Sequence, residues 1–182
     1  MHVKLKLRSE LPNILRGCNA SGLMVTHDPE EAMSICDKVA VMNEGKIHQI
    51  DTPINLLNNP KTIFVSSFIL ENNIINLKKT GNSFMSCLGE INSPGLPKNK
   101  NIHNMSISPK FISIKRSESG DAIVMSKEFL GEYHIYKVSI NGNILRVRTD
   151  INNLLNNGDK CSLSINKNSY YFLYPGAYKV YI

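Results

Sequence analysis

No apolar run in the 182-residue chain approaches the roughly 20 residues that a helix needs to span a bilayer. The longest candidate, 63–70, is interrupted by Ser66 and Ser67, so the chain itself is expected to be soluble. Its start, MHVKLKLRSELP, alternates charged and apolar residues. It lacks an uninterrupted apolar block followed by a small-residue cleavage site, so no secretory signal is expected and the protein should remain in the cytoplasm. Cysteine is sparse too: Cys18, Cys36, Cys87 and Cys161 show no C-x-x-C spacing and no nearby histidine pair. That disfavours a zinc site and a disulfide framework and leaves four separate reduced thiols. What is present is globular in composition, 42% apolar and 20% charged, enough for one ordinary domain or two small ones with a real core.

The net charge of +6 is unevenly placed. Residues 1–71 carry 7 Lys/Arg against 8 Asp/Glu, whereas residues 72–182 carry 14 against 7. The texture of the sequence changes at the same place. Before Glu71, apolar runs alternate with helix-start signals; from Ile74 onward, short β-rich segments are separated by Gly, Asn, Pro and Ser. The domain boundary is therefore expected near residue 71, giving a first domain over 1–71 and a second over 72–182.

Chemistry concentrates in 22–45, GLMVTHDPEEAMSICDKVAVMNEG. Leu23, Met24, Val25 and Thr26 run into His27-Asp28-Pro29, and the pattern then becomes helical. The residues predict a buried strand that delivers His27 to its carboxyl end. A helix of four to eight residues follows from Pro29, because proline suits a first helical position, Asp28 can cap it, and Glu30 and Glu31 favour the first turn. Strands are expected at 39–42 and 46–51 around an Asn43-Glu44-Gly45 turn. Thr52-Pro53 opens another helix, and a further one runs over 61–70. A helix at 4–16 is weakened by Pro12. In the second domain, strands are predicted at 74–78, 83–87, 105–108, 111–115, 122–129, 134–140, 144–149, 161–165 and 170–174, with a long loop over 92–104. That cadence predicts a small barrel or sandwich.

The run VTHDPEEAMSICDKVAVMNEGKIHQIDTPINLLNNP resembles the end of the nucleotide-binding domain of ATP-binding cassette (ABC) import ATPases. In that family a strand ending in Val-Thr-His-Asp presents the switch histidine, a Glu-Glu-Ala helix follows, and an Asp-Lys-Val-Ala-Val-Met-type hairpin precedes a Thr-Pro helix start. Lys6 to Leu11 resembles the helix after the family's D-loop. Residues 72–182 resemble its accessory TOBE domain: Ile107-Ser108-Pro109-Lys110-Phe111-Ile112 resembles the Ile-Arg-Pro-Glu-x-Ile motif, Glu128-Phe129-Leu130-Gly131 the Glu-Phe-Leu-Gly turn, and Tyr174-Pro175-Gly176 the closing turn. The resemblance thus implies an α/β fragment, the end of a P-loop NTPase nucleotide-binding domain, followed by a small all-β OB-like TOBE domain. It is most similar to the ferric-iron subgroup.

That resemblance implies a catalytic role for His27, whose ring would contact the ATP γ-phosphate. ATP and Mg2+ would be the cofactors of the intact assembly. Partners would be a membrane permease, a second ATPase subunit and, indirectly, a solute-binding protein, with no nucleic acid, at the inner face of the cell membrane. The sequence contains no G-x-x-x-x-G-K-[ST] phosphate loop, no LSGGQ-like signature and no apolar strand ending in Asp-Glu. Phosphoryl transfer depends on such groups, so the chain alone is expected to bind no nucleotide and to be inactive.

Other titratable residues invite plainer accounts. Asp28 reads as a cap. Glu30 and Glu31 are adjacent on a helix and so do not face each other as an acid/base pair would. His2, His48, His103 and His134 lack ligand spacing and read as surface or strand histidines. Arg146 and Arg148, with Lys137, could meet an anion, but a solvated strand face is the simpler account. The basic β domain also admits a rival: a freestanding OB-like module binding an oxyanion or single-stranded nucleic acid, with Tyr133, Tyr136, Tyr170, Tyr171, Phe172 and Tyr174 available for stacking.

Overall fold

A computed structural model describes residues 2–81, 83–91 and 101–182, with side chains from residue 10 onward within its first helix. The chain divides into two compact units, Met1–Ile69 and Leu70–Ile182. Among the described residues it is mostly β-sheet with few helices.

The first unit holds the helices. Helix α1 (His2–Gly17) runs through Pro12, whose ring nitrogen forfeits one ladder bond without ending the helix. Helix α2 (Pro29–Ile35) starts where Asp28 caps it, Oδ1 accepting from the Glu30 and Glu31 amides at 2.9 and 3.4 Å. Strands β1 (Val39–Asn43) and β2 (Lys46–Asp51) form an antiparallel hairpin. Its two-residue turn, Glu44 at φ 48° and Gly45 at φ 72°, needs positive φ at both positions, as a primed turn does. Helices α3 (Pro53–Asn58), capped by Thr52, and α4 (Ile63–Leu70) follow. Val39 and Val41 on one face of the hairpin join Leu56 and Val65 in the buried core of this unit's described residues.

One sequence expectation fails here. Residues 23–26 form no strand and lie outside any sheet described, with Leu23 96% and Val25 92% exposed. A strand buried on both faces needs neighbours on both edges, and the only sheet described in this unit is the two-stranded β1-β2. The apolar run has the composition of a buried strand but no ladder to enter.

The second unit is built from strands β3 (Asn73–Asn76), β4 (Lys78–Thr80), β5 (Ser83–Ser86), β6 (Gly89–Ile91), β7 (Asn104–Ile107), β8 (Ile112–Arg116), β9 (Ala122–Phe129), β10 (Tyr133–Ile140), β11 (Asn143–Asp150), β12 (Lys160–Ile165), β13 (Tyr170–Tyr174) and β14 (Tyr178–Tyr181). They pair as β11-β10-β9-β12-β8, β14-β13-β7-β3 and β4-β5-β6. Alternation places Tyr136, Val138, Ile140, Leu145 and Val147 inward, where they join Ile75, Met105, Ile107, Tyr171 and Leu173 in one core. The Arg146 backbone on β11 is taken by the Asn73 side chain: its amide N–H donates to Oδ1 at 2.7 Å and its carbonyl accepts from Nδ2 at 2.8 Å. Asn73 thereby substitutes for one rung of a neighbouring strand. Most of the loop expected at 92–104 lies outside the described residues.

Candidate functional site

His27 sits in the bend between the irregular segment 23–26 and α2, with both sequence neighbours pinned. The Thr26 hydroxyl accepts from the Asp28 amide at 3.0 Å and donates to Glu31 Oε2 at 2.9 Å. Asp28 in turn caps the helix. These bonds satisfy donors of the first helical turn that would otherwise lack partners. They also fix the backbone on each side of the histidine while its ring remains exposed to solvent. The expectation of a histidine at the end of a buried strand is corrected to a histidine on a pinned, exposed turn.

What this arrangement can do is limited and specific. An exposed imidazole on a fixed turn can donate to, or accept from, a group brought to it. Glu30 and Glu31 take the helix-start roles expected of them, and Glu31 adds the bond to Thr26. That contact was not anticipated, although Thr26 lying two residues before a cap and five before a glutamate was its visible signal. Among the described residues, no group of three or more His, Cys, Asp or Glu side chains is placed to hold a metal ion.

The remaining expected residues scatter. His48 Nδ1 meets Thr62 Oγ1 at 3.2 Å and its ring lies 4.8 Å from that of Phe64. His103 is exposed in a loop, and the side chain of His2 is outside the described residues. His134 is buried on β10 against Phe129 and Tyr136, with Nδ1 lacking a partner; it is a core residue of its strand. Arg146 reaches Glu71 at 2.8 Å, and Arg148 stacks over the Tyr133 ring at 3.7 Å. Lys137 lies opposite Arg146 across the ladder, so this is a solvated strand face whose arginines are already engaged. A cleft of about 990 Å³ in the same unit is lined by Lys110, Lys115, Tyr133, Arg148, Asp150 and Asn153 among others. It belongs to the second unit and holds none of the His27 chemistry.

No family model matches the chain. Known proteins do. A spermidine/putrescine import ATP-binding protein of Bacillus anthracis is 48% identical over 80 residues, which are 44% of this chain and 24% of that protein. Its counterpart in Mesoplasma florum is 33% identical over 142 residues, covering 72% of this chain and 39% of the relative. That in Desulfitobacterium hafniense is 44% identical over 75 residues, 41% and 22% of the respective chains. These relatives support an ABC transporter ATP-binding protein. The chain spans about a quarter of the length of the first relatives it matches. The Mesoplasma florum match exceeds the length of either unit, so the similarity extends across both. The ferric-iron subgroup finds no support, since all three relatives carry spermidine/putrescine in their names. Among the described residues, no helix is long and apolar enough to cross a membrane.

Proposed function

We propose that this chain is the carboxyl-terminal portion of the ATP-binding subunit of an ABC importer, with polyamine as the transported solute. The observation that carries this reading is the similarity across both units to the Mesoplasma florum polyamine-import protein. Residues 1–71 correspond to the end of the nucleotide-binding domain and 72–182 to a TOBE-like β domain. Polyamine replaces ferric iron as the solute because the relatives are named for it.

In this reading His27 approaches the γ-phosphate of an ATP held elsewhere in the assembly. The pinned turn matters because a phosphate sensor works by position: Thr26, Asp28 and Glu31 hold the backbone from which the ring projects. ATP and Mg2+ supply the phosphoryl chemistry, and the phosphate loop and magnesium ligands come from sequence that this chain does not contain. Partners would be a permease, a second ATP-binding subunit and an extracytoplasmic solute-binding protein, with the subunit peripheral on the cytoplasmic membrane face.

The test is a chimera in which this chain replaces the matching region of the Mesoplasma florum protein, assayed with its permease for ATP hydrolysis and spermidine uptake. The chimera should support both, and His27→Ala should lower hydrolysis at least a hundredfold while retaining ATP binding. A folded chimera that binds ATP but whose hydrolysis ignores His27→Ala would refute the assigned role. The chain alone should show no hydrolysis.

A further inference from the structure

One side of the β13–β14 hairpin carries a cluster that the importer reading does not use. The Lys179 ammonium lies 4.1 Å from the Tyr170 ring centroid, 5.5 Å from Tyr181 and 5.7 Å from Phe172. Tyr170 meets Phe111 edge-on at 4.9 Å, and the Lys110 ammonium lies 5.1 Å from the Phe111 ring. Register explains the gathering. Tyr170 pairs with Tyr181 and Phe172 with Lys179, so all four share one face. Asn166 then holds the Lys110-Phe111 turn beside them, donating its amide to the Phe111 carbonyl and its side chain to that of Lys110.

The two chain segments that form this cluster carry charge of one sign, while Lys110 also lines a cleft with Glu132 and Asp150. Residues 101–117 and 160–182 hold six Lys/Arg and no Asp or Glu. Arg116 is neutralised by Asp159. Lys110 and Lys179 rest on rings, with no ion pair among the described residues. Ammonium–ring contacts at a surface are weak, so both lysines can be drawn away by a stronger anion. Doing so uncovers ring faces.

We propose that this surface binds single-stranded nucleic acid. Its phosphates take Lys110 and Lys179, and its unstacked bases take the ring faces that the lysines vacate, with Tyr181, 67% exposed, as the leading platform. A duplex satisfies the lysines but offers no unstacked base. An anionic lipid surface also satisfies them, but Phe111 and Tyr170 are only half-exposed and Phe172 is buried, so these rings cannot insert among acyl chains. The proposal goes beyond the importer reading and runs against its expectation of no nucleic-acid partner.

Fluorescence anisotropy of a labelled 15-nucleotide oligodeoxythymidine, titrated with the full chain at several salt concentrations, tests it. Saturable binding that weakens with salt is expected. Tyr181→Ala should lower affinity about tenfold without changing the salt slope, with Tyr181→Phe retaining affinity, whereas Lys110→Ala or Lys179→Ala should each reduce that slope by about one. Because Tyr181 is exposed, its variants should keep the parent's circular dichroism. No oligonucleotide binding, equal binding of a duplex, an unaltered Tyr181→Ala variant, or preferential binding to phosphatidylglycerol vesicles would each overturn it. None of these outcomes bears on spermidine uptake by the chimera.

Discussion

At the scale of single residues, Asp28 is the best-defined contributor to the site. Its carboxylate is the cap of α2, a seven-residue helix with no buried residue of its own, so the cap carries a large share of that helix's local stability. Removing such a cap typically costs about 1 kcal/mol. Asp28→Ala should therefore speed hydrogen exchange at the Glu30 and Glu31 amides about fivefold, measured by NMR, with little change in the second unit. Equal protection in the variant would mean that the Thr26–Glu31 contact holds the turn by itself. The thiols make a second residue-level case. Burial pushes Cys161 and Cys87 above the ordinary thiol value of 9.0, aided at Cys161 by the negative charges of Asp121 and Asp159 and at Cys87 by Asp121. Cys18, by contrast, is exposed. Iodoacetamide at neutral pH should label Cys18 readily and Cys161 only on unfolding. A thiol held protonated in the fold stabilises it fully below 9.0, and that contribution is lost as pH rises through the raised folded values. Stability should fall above about pH 9, and Cys161→Ala should flatten that decline in a urea titration series.

At the scale of elements, Asn73 shows how one side chain stands in for a strand. It is nearly buried and satisfies both backbone groups of Arg146 on β11. Asn73→Ala leaves an amide and a carbonyl unpaired near the core. With each net hydrogen bond worth about 1 kcal/mol and each buried orphan costing more, the loss should be about 2–3 kcal/mol by equilibrium denaturation. Nothing in the sequence distinguished Asn73 from the other asparagines around it, because its partner lies 73 residues away. Local signals were legible by contrast. The Asn43-Glu44-Gly45 turn, the Asp28-Pro29 and Thr52-Pro53 helix starts and nine strands of the second unit were readable because turn chemistry and alternation act over a few residues. Strands β4, β6 and β14 were not. Lys78-Lys79-Thr80 and Gly89-Glu90-Ile91 are too short and polar to show a period, and Tyr178 to Tyr181 follows a turn that looked terminal. At the site, the Asp28 cap was legible but the surroundings of His27 were not. A run such as Leu23 to Thr26 declares a preference for burial, and only neighbouring strands can supply it.

At the scale of the whole chain, the two units differ in what can hold them folded. Among its described residues the first has four buried core side chains, Val39, Val41, Leu56 and Val65. It also leaves Leu23, Val25, Met42, Ile47, Ile50 and Ile54 exposed. Ala40 and Met42 pair with Ile50 and Ile47, so the face of the hairpin opposite Val39 and Val41 is apolar as well. The second buries a continuous set running from Ile75 to Val180. Buried apolar area is the main term opposing chain entropy, and a four-residue core offsets little of it, whereas the core of the second unit is of the size that independent small domains use. Residues 70–182 produced alone should unfold cooperatively, with coincident transitions by tyrosine fluorescence and far-ultraviolet circular dichroism. Residues 1–69 alone should show only a broad, weakly cooperative change. A sharp, two-state transition of 1–69 would mean that its exposed apolar side chains are covered by self-association, and a midpoint that rises with concentration would identify that cause.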